Sequence, residues 1–139
     1  MPPTPASART SHWLWPLLLL LGCVTALIAW LILALALGQQ TGWMAILVAL
    51  ESAFMLRLAG MPGGARRALI AVVATALVII AAQWAIASAQ IGAVMGLDVL
   101  ASAIRMGPRL AWQLTGLANS GLDLAGWVLG LGVAWWAAR

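Results

Sequence analysis

The chain has no lysine and no tyrosine, and in 139 positions it carries one phenylalanine, one histidine, one cysteine and three acidic residues, Glu51, Asp98 and Asp123. Each scarcity removes a class of function. A single cysteine, Cys23, excludes an internal disulfide and gives no reading of redox compartment. His12 lies in a proline-rich arm, Cys23 in an apolar run, and the three carboxylates in three separate segments. No nucleophile–base pair, metal-ligand spacing or phosphate-cradling glycine loop is visible, so neither catalysis nor a metal or cofactor is expected. Charged residues make up 7% of the chain, against about a quarter in ordinary soluble domains, too few to clothe a water-facing surface.

What is present is apolar. The chain is 65% hydrophobic with a mean hydropathy of +1.06, and its apolar residues fall in runs of about 17 to 25, long enough to cross a hydrocarbon core. The pI of 11.6 comes from seven arginines that lie at the ends of those runs and form no basic stripe. They read as orientation signals in a lipid bilayer, and no nucleic-acid partner is expected.

Residues 1–12, with three prolines and small polar residues, read as a disordered cytoplasmic arm. The remaining 13–139 read as one membrane domain. Trp13 and Trp15 mark a headgroup boundary and open a span over about 13–37. The stretch Leu20-Leu21-Gly22-Cys23 resembles a lipobox, but the apolar run continues to Leu37 where a processed lipoprotein would enter a polar tether, so an uncleaved anchor is expected. The polar turn 38–42 leads to a second span over 43–59, stopped by Gly60-Met61-Pro62-Gly63-Gly64. A third, over 68–89, ends among Gln83, Trp84, Ser88 and Gln90, which suggest emergence into an interface. A fourth covers 122–138 behind the helix-start signal Asn119-Ser120-Gly121.

Residues 91–119 are apolar enough to resemble a span but contain Asp98, Arg105 and Arg109, each costing about 2.5 to 3.5 kcal/mol at mid-membrane. On a helix Asp98, Ser102, Arg105, Arg109 and Gln113 share one face, opposite Leu100, Ile104, Ala111 and Leu114. That pattern predicts one amphipathic interfacial helix, kinked at Pro108, whose polar face meets headgroups or a partner. The fold class expected is thus an all-α integral membrane protein of four transmembrane helices plus one amphipathic interfacial helix. An even number of spans puts Arg9, Arg57, Arg66, Arg67 and Arg139 on one side and Arg105 and Arg109 on the other, which predicts cytoplasmic termini. The lysine-free, Ala/Gly/Leu/Arg/Trp-rich composition points to a bacterial inner membrane.

Gly-Leu-Asp occurs at 96–98 and 121–123, and helix-start chemistry accounts for both copies. Small residues recur four apart at Gly92 and Gly96, at Ala81, Ala85 and Ala89, and at Gly126 and Gly130, as helices that approach closely require; packing within the chain or self-association both fit. Of the nine tryptophans, Trp13, Trp15, Trp43, Trp135 and Trp136 fit interfacial belts, while Trp30, Trp84, Trp112 and Trp127 suit packing or the lining of a lipid or ligand groove.

Glu51 stands apart. It lies about 12 to 14 Å from either end of its span, near mid-membrane, where a carboxylate points to ion or proton handling, to pairing with a partner helix, or to a protonated acid bonded to a neighbouring helix. Arg57 is about 120° away on the same helix and cannot be its partner. A chain so poor in catalytic groups is expected to act by contact, as an accessory, anchoring or assembly subunit among other membrane-protein subunits. The alternative is a small oligomeric transporter or pore with Glu51 as the coupling group. In size, span number and single membrane carboxylate the chain resembles the small multidrug-resistance exporters. Their essential glutamate lies in the first span and Glu51 in the second, so no residue role carries over.

Overall fold

The computed structural model describes residues 13–139, so the arm 1–12 with Arg9 and His12 lies outside it. The described residues form six helices and no strand: α1 (Leu14–Leu37), α2 (Met44–Leu58), α3 (Ala65–Met95), α4 (Val99–Arg105), α5 (Pro108–Ala118) and α6 (Gly121–Ala138). Three of them, α1, α3 and α6, are long and apolar enough to cross a membrane. The fourth segment expected to do so, α2, has 15 residues, a length of roughly 22 Å at about 1.5 Å per residue, short of the roughly 30 Å hydrocarbon core.

Helix ends follow local chemistry. Gly38 and Gly96, at φ of 65° and 67°, close α1 and α3 in a left-handed conformation that a Cβ would penalise. Ser120 and Asp123 form a capping box at the start of α6, and Asp98 is the N-cap of α4, accepting from the Ala101 amide at 2.6 Å. The two Gly-Leu-Asp copies therefore open helices, although Asp98 precedes its helix and Asp123 sits three residues beyond its cap.

The helices α1, α2, α3 and α6 form a bundle whose ends alternate. At one end Trp15, Leu56, Met61, Ala68 and Ala138 cluster, joining the start of α1, the end of α2, the start of α3 and the end of α6. Trp30, Ala34, Met44, Val48 and Ile86 cluster further along the bundle. Trp30, Leu56 and Ile86 are the largest of the fully buried side chains. Beyond them, Asp123 accepts from the Gly42 amide at 2.9 Å and ties α6 to the turn between α1 and α2. Trp13 and Arg139 thus lie towards the same end.

Large apolar residues cover the outside. On α1, Leu17, Leu20, Leu21, Ile28 and Ile32 are each more than half exposed, an apolar strip no water-soluble surface would present. Three spanning-length helices with such a surface suggest a membrane protein.

Two expectations need correction. α3 extends beyond the span expected over 68–89, running from Ala65 to Met95, and two of the residues read as exit signals, Gln83 and Ser88, face inward, while Gln90 is exposed. The Ser88 hydroxyl bonds the Trp84 carbonyl, and Gln83 pairs with Asn119. Nor is there one amphipathic helix over 91–119. Pro108 forces Gly107 into an extended conformation (φ −70°, ψ 153°), so the segment breaks into α4 and α5, with Pro108 in the first turn of α5.

Candidate functional site

Glu51 sits where α2 packs on α1, and the sequence of α1 makes room for it. A Cβ on Gly22 would lie 2.8 Å from Met55 Cγ and 3.6 Å from Glu51 Cγ, so glycine lets these two side chains lie against the α1 backbone. One turn on, Thr25 Oγ1 stands 2.8 Å from Glu51 Oε1 and also 2.9 Å and 3.0 Å from the Gly22 and Leu21 carbonyls. A hydroxyl has one proton, and carbonyls only accept. If Thr25 donates to its own helix, the close contact requires Glu51 to donate to Thr25; if Glu51 is ionised, Thr25 turns its proton to the carboxylate. Rotation of one hydroxyl therefore accommodates a carboxyl that carries its proton and one that does not. Thr25 is exposed and Glu51 half-buried, so the pair faces outward from the bundle. Cys23, a free half-buried thiol, lies on the same turn beside Ser52.

Arg57 takes no part in this pair. Its Nη2 donates to the Ala137 carbonyl at 2.6 Å, while Arg67 donates to the carbonyls of Ala138 (2.6 Å), Met61 (3.0 Å) and Arg139 (2.9 Å). Two guanidinium groups thus hold the carbonyl end of α6, where a cation suits the helix dipole.

The residues expected to form one polar face, Asp98, Ser102, Arg105, Arg109 and Gln113, are split by the break at Gly107. Arg105, Arg109 and Gln113 are exposed and Asp98 is engaged as a cap, but Ser102 is buried. α4 lays Ser102 and Met106 against α3, with Ser102 beside Gly92, and turns Leu100 and Ile104 outward.

Among the small residues, Gly126 and Gly130 are buried where α6 meets α2 and the turn before it. A Cβ on Gly126 would lie 2.7 Å from the carbonyl of Gly42, and one on Gly130 2.8 Å from Ala45. Ala81 and Ala85 are only part-buried, because α3 turns Ala71, Thr75, Ala82 and Ile86 towards its neighbours instead.

Sequence reasoning missed a second polar cluster. Asn119, between α5 and α6, donates from Nδ2 to Gln83 Oε1 at 3.1 Å and to the Thr115 carbonyl at 2.7 Å. Trp84, Trp112 and Trp127, three of the four tryptophans singled out for packing or a groove, line a cavity beside it together with Gln83 and Thr115. The fourth, Trp30, is fully buried in the core. Two glutamines and an asparagine scattered over about eighty residues carry no spacing motif, and only the fold brings Gln40, Gln83 and Asn119 to one end of the bundle.

Among the described residues no group of three His, Cys, Asp or Glu side chains is placed to hold a metal ion. No protein-family model, curated protein or solved structure matches the chain.

Proposed function

We propose that this protein acts by contact, as an accessory, anchoring or assembly subunit of a larger complex in the bacterial inner membrane, and catalyses no reaction. In this reading α2 crosses with α1, α3 and α6, thinning the bilayer locally to suit its short length, and both termini are cytoplasmic, as the arginine distribution favours. One observation carries the proposal: the Thr25–Glu51 pair faces outward, into the space a neighbouring helix would occupy. A polar pair facing hydrocarbon gains from a partner that shares its hydrogen bonds, each such contact contributing about 0.6 to 2 kcal/mol.

A transporter or pore with Glu51 as coupling group is the second reading, favoured by the way Thr25 accommodates either protonation state. The two substitutions Glu51→Gln and Glu51→Leu separate them. Contact predicts that Glu51→Gln keeps co-purifying partners nearly intact, while Glu51→Leu loses them by about threefold or more. Coupling predicts that Glu51→Gln abolishes proton-dependent flux at unchanged expression, since an amide cannot carry the proton. Normal partner recovery and normal flux with Glu51→Leu would overturn both.

A further inference from the structure

The amide orientations around Asn119 are fixed by elimination. The Thr115 carbonyl only accepts, so the nitrogen of Asn119 must face it; the same nitrogen then requires the oxygen of Gln83. The Gln83 nitrogen is left over. Gln83 is 6% exposed, and its Nε2 has no hydrogen-bond partner among the described residues. Asn119 Oδ1 and Trp127 Nε1 are buried and unpartnered in the same way. Native interiors rarely leave such groups unmet, and three at one place point to a missing occupant.

There is room for one. Gln83 and Thr115 line two adjoining cavities of about 200 and 250 Å³, each several times the roughly 30 Å³ of one water. The space exists because α4 and α5 rest on α3 alone, leaving a cleft between α5 and α6. No charged residue lines either cavity, so an ionic group would lose its hydration there without a counter-charge. Two free N–H donors ask for an acceptor oxygen, and the flanking walls are indole and aliphatic. Trp112, 80% exposed, stands at the rim.

We propose that this cleft binds the head of a neutral, carbonyl-bearing amphiphile drawn from the bilayer, whose carbonyl oxygen accepts from Gln83 Nε2 and Trp127 Nε1. The apolar remainder of the ligand lies along Trp84 and Trp112 towards the lipid. Two bilayer components supply this chemistry, the acyl ester of a diacylglycerol and the ring carbonyl of an isoprenoid quinone. The site is independent of the outward-facing Glu51 pair and of the contact role built on it.

The test uses the full chain reconstituted in nanodiscs, with diazirine analogues of dioleoylglycerol and of a short-chain ubiquinone as separate photoprobes. Crosslinks should fall on peptides containing Trp112 and Trp127, saturate, and compete with the unlabelled parent compound. Trp127→Phe, which keeps an aromatic ring but removes the N–H, and Gln83→Leu should each weaken labelling by about two- to tenfold. If Gln83→Leu does not fold, Trp127→Phe alone decides the point. Saturation by one probe only identifies the source, and saturation by both confirms the shared carbonyl. Labelling by both probes that is unsaturable, spread evenly over the lipid-facing helices and unchanged in Trp127→Phe would mean that the cleft holds water, and would overturn the proposal.

Discussion

Gly130 offers a sharp test of how α6 meets α2. A Cβ built there lies 2.8 Å from the carbonyl carbon, Cβ and oxygen of Ala45, all parts of a helix that cannot swing aside as a flexible side chain would. Carbon contacts relax to about 3.5 to 4.0 Å, so the two helices must separate by roughly 0.7 to 1.2 Å, the difference between those distances and 2.8 Å. Overpacking of this kind costs about 1 to 3 kcal/mol, offset by the roughly 0.8 to 1 kcal/mol that alanine gains over glycine in a helix. Gly132, on the same helix, has nothing within 4 Å of its Cβ position, so Gly132→Ala collects the gain alone. The two variants should therefore differ by about 1 to 3 kcal/mol, with Gly130→Ala the less stable. Unfolding in mixed micelles by titration with dodecyl sulfate, followed by tryptophan fluorescence, gives the comparison directly. Equal midpoints for Gly130→Ala and Gly132→Ala would refute the close α2–α6 approach.

Two further expectations rest on the ends of the bundle. Arg67→Ala should destabilise by about 1 to 3 kcal/mol through loss of its three carbonyl contacts, while Arg66→Ala, at an exposed position, should stay within about 0.5 kcal/mol in the same titration. In a Cys23→Ala background, cysteines at 105 and 109 should react in intact cells with a membrane-impermeant thiol reagent, and a cysteine at 102 should not. Silence at 105 and 109 in intact cells, with reaction only after lysis, would place that segment on the cytoplasmic side.

Helix positions were legible wherever a local rule sets a boundary. The tryptophan pair at 13 and 15, the glycines at 38 and 60 and the Ser120–Asp123 cap place the limits of α1, α2 and α6 within about two residues. The inward turn of Gln83 and Ser88 was not legible, because polarity alone does not say which way a side chain points. Gln83 and Ser88 resemble residues leaving a membrane until Asn119, 36 positions later, folds back onto Gln83. Periodicity likewise treated 98–113 as one rotation and could not register that Gly107 and Pro108 reset the phase, nor that Ser102 packs on α3 at Gly92 and so lies beneath the polar face. Glu51 was singled out from depth alone, whereas its contact with Thr25, 26 residues away, depends on how α1 and α2 pack. A threonine inside an otherwise apolar run was the one available hint.

The grip of Arg57 and Arg67 on the end of α6 also bears on the order of events during synthesis. These arginines act on carbonyls 80 and 71 positions further along, and α6 packs chiefly on α2. The face of α2 around Ala45 and Ala49 therefore has no permanent cover until α6 has been synthesised. Until then α1, α2 and α3 form an open cradle, and it closes only when α6 arrives.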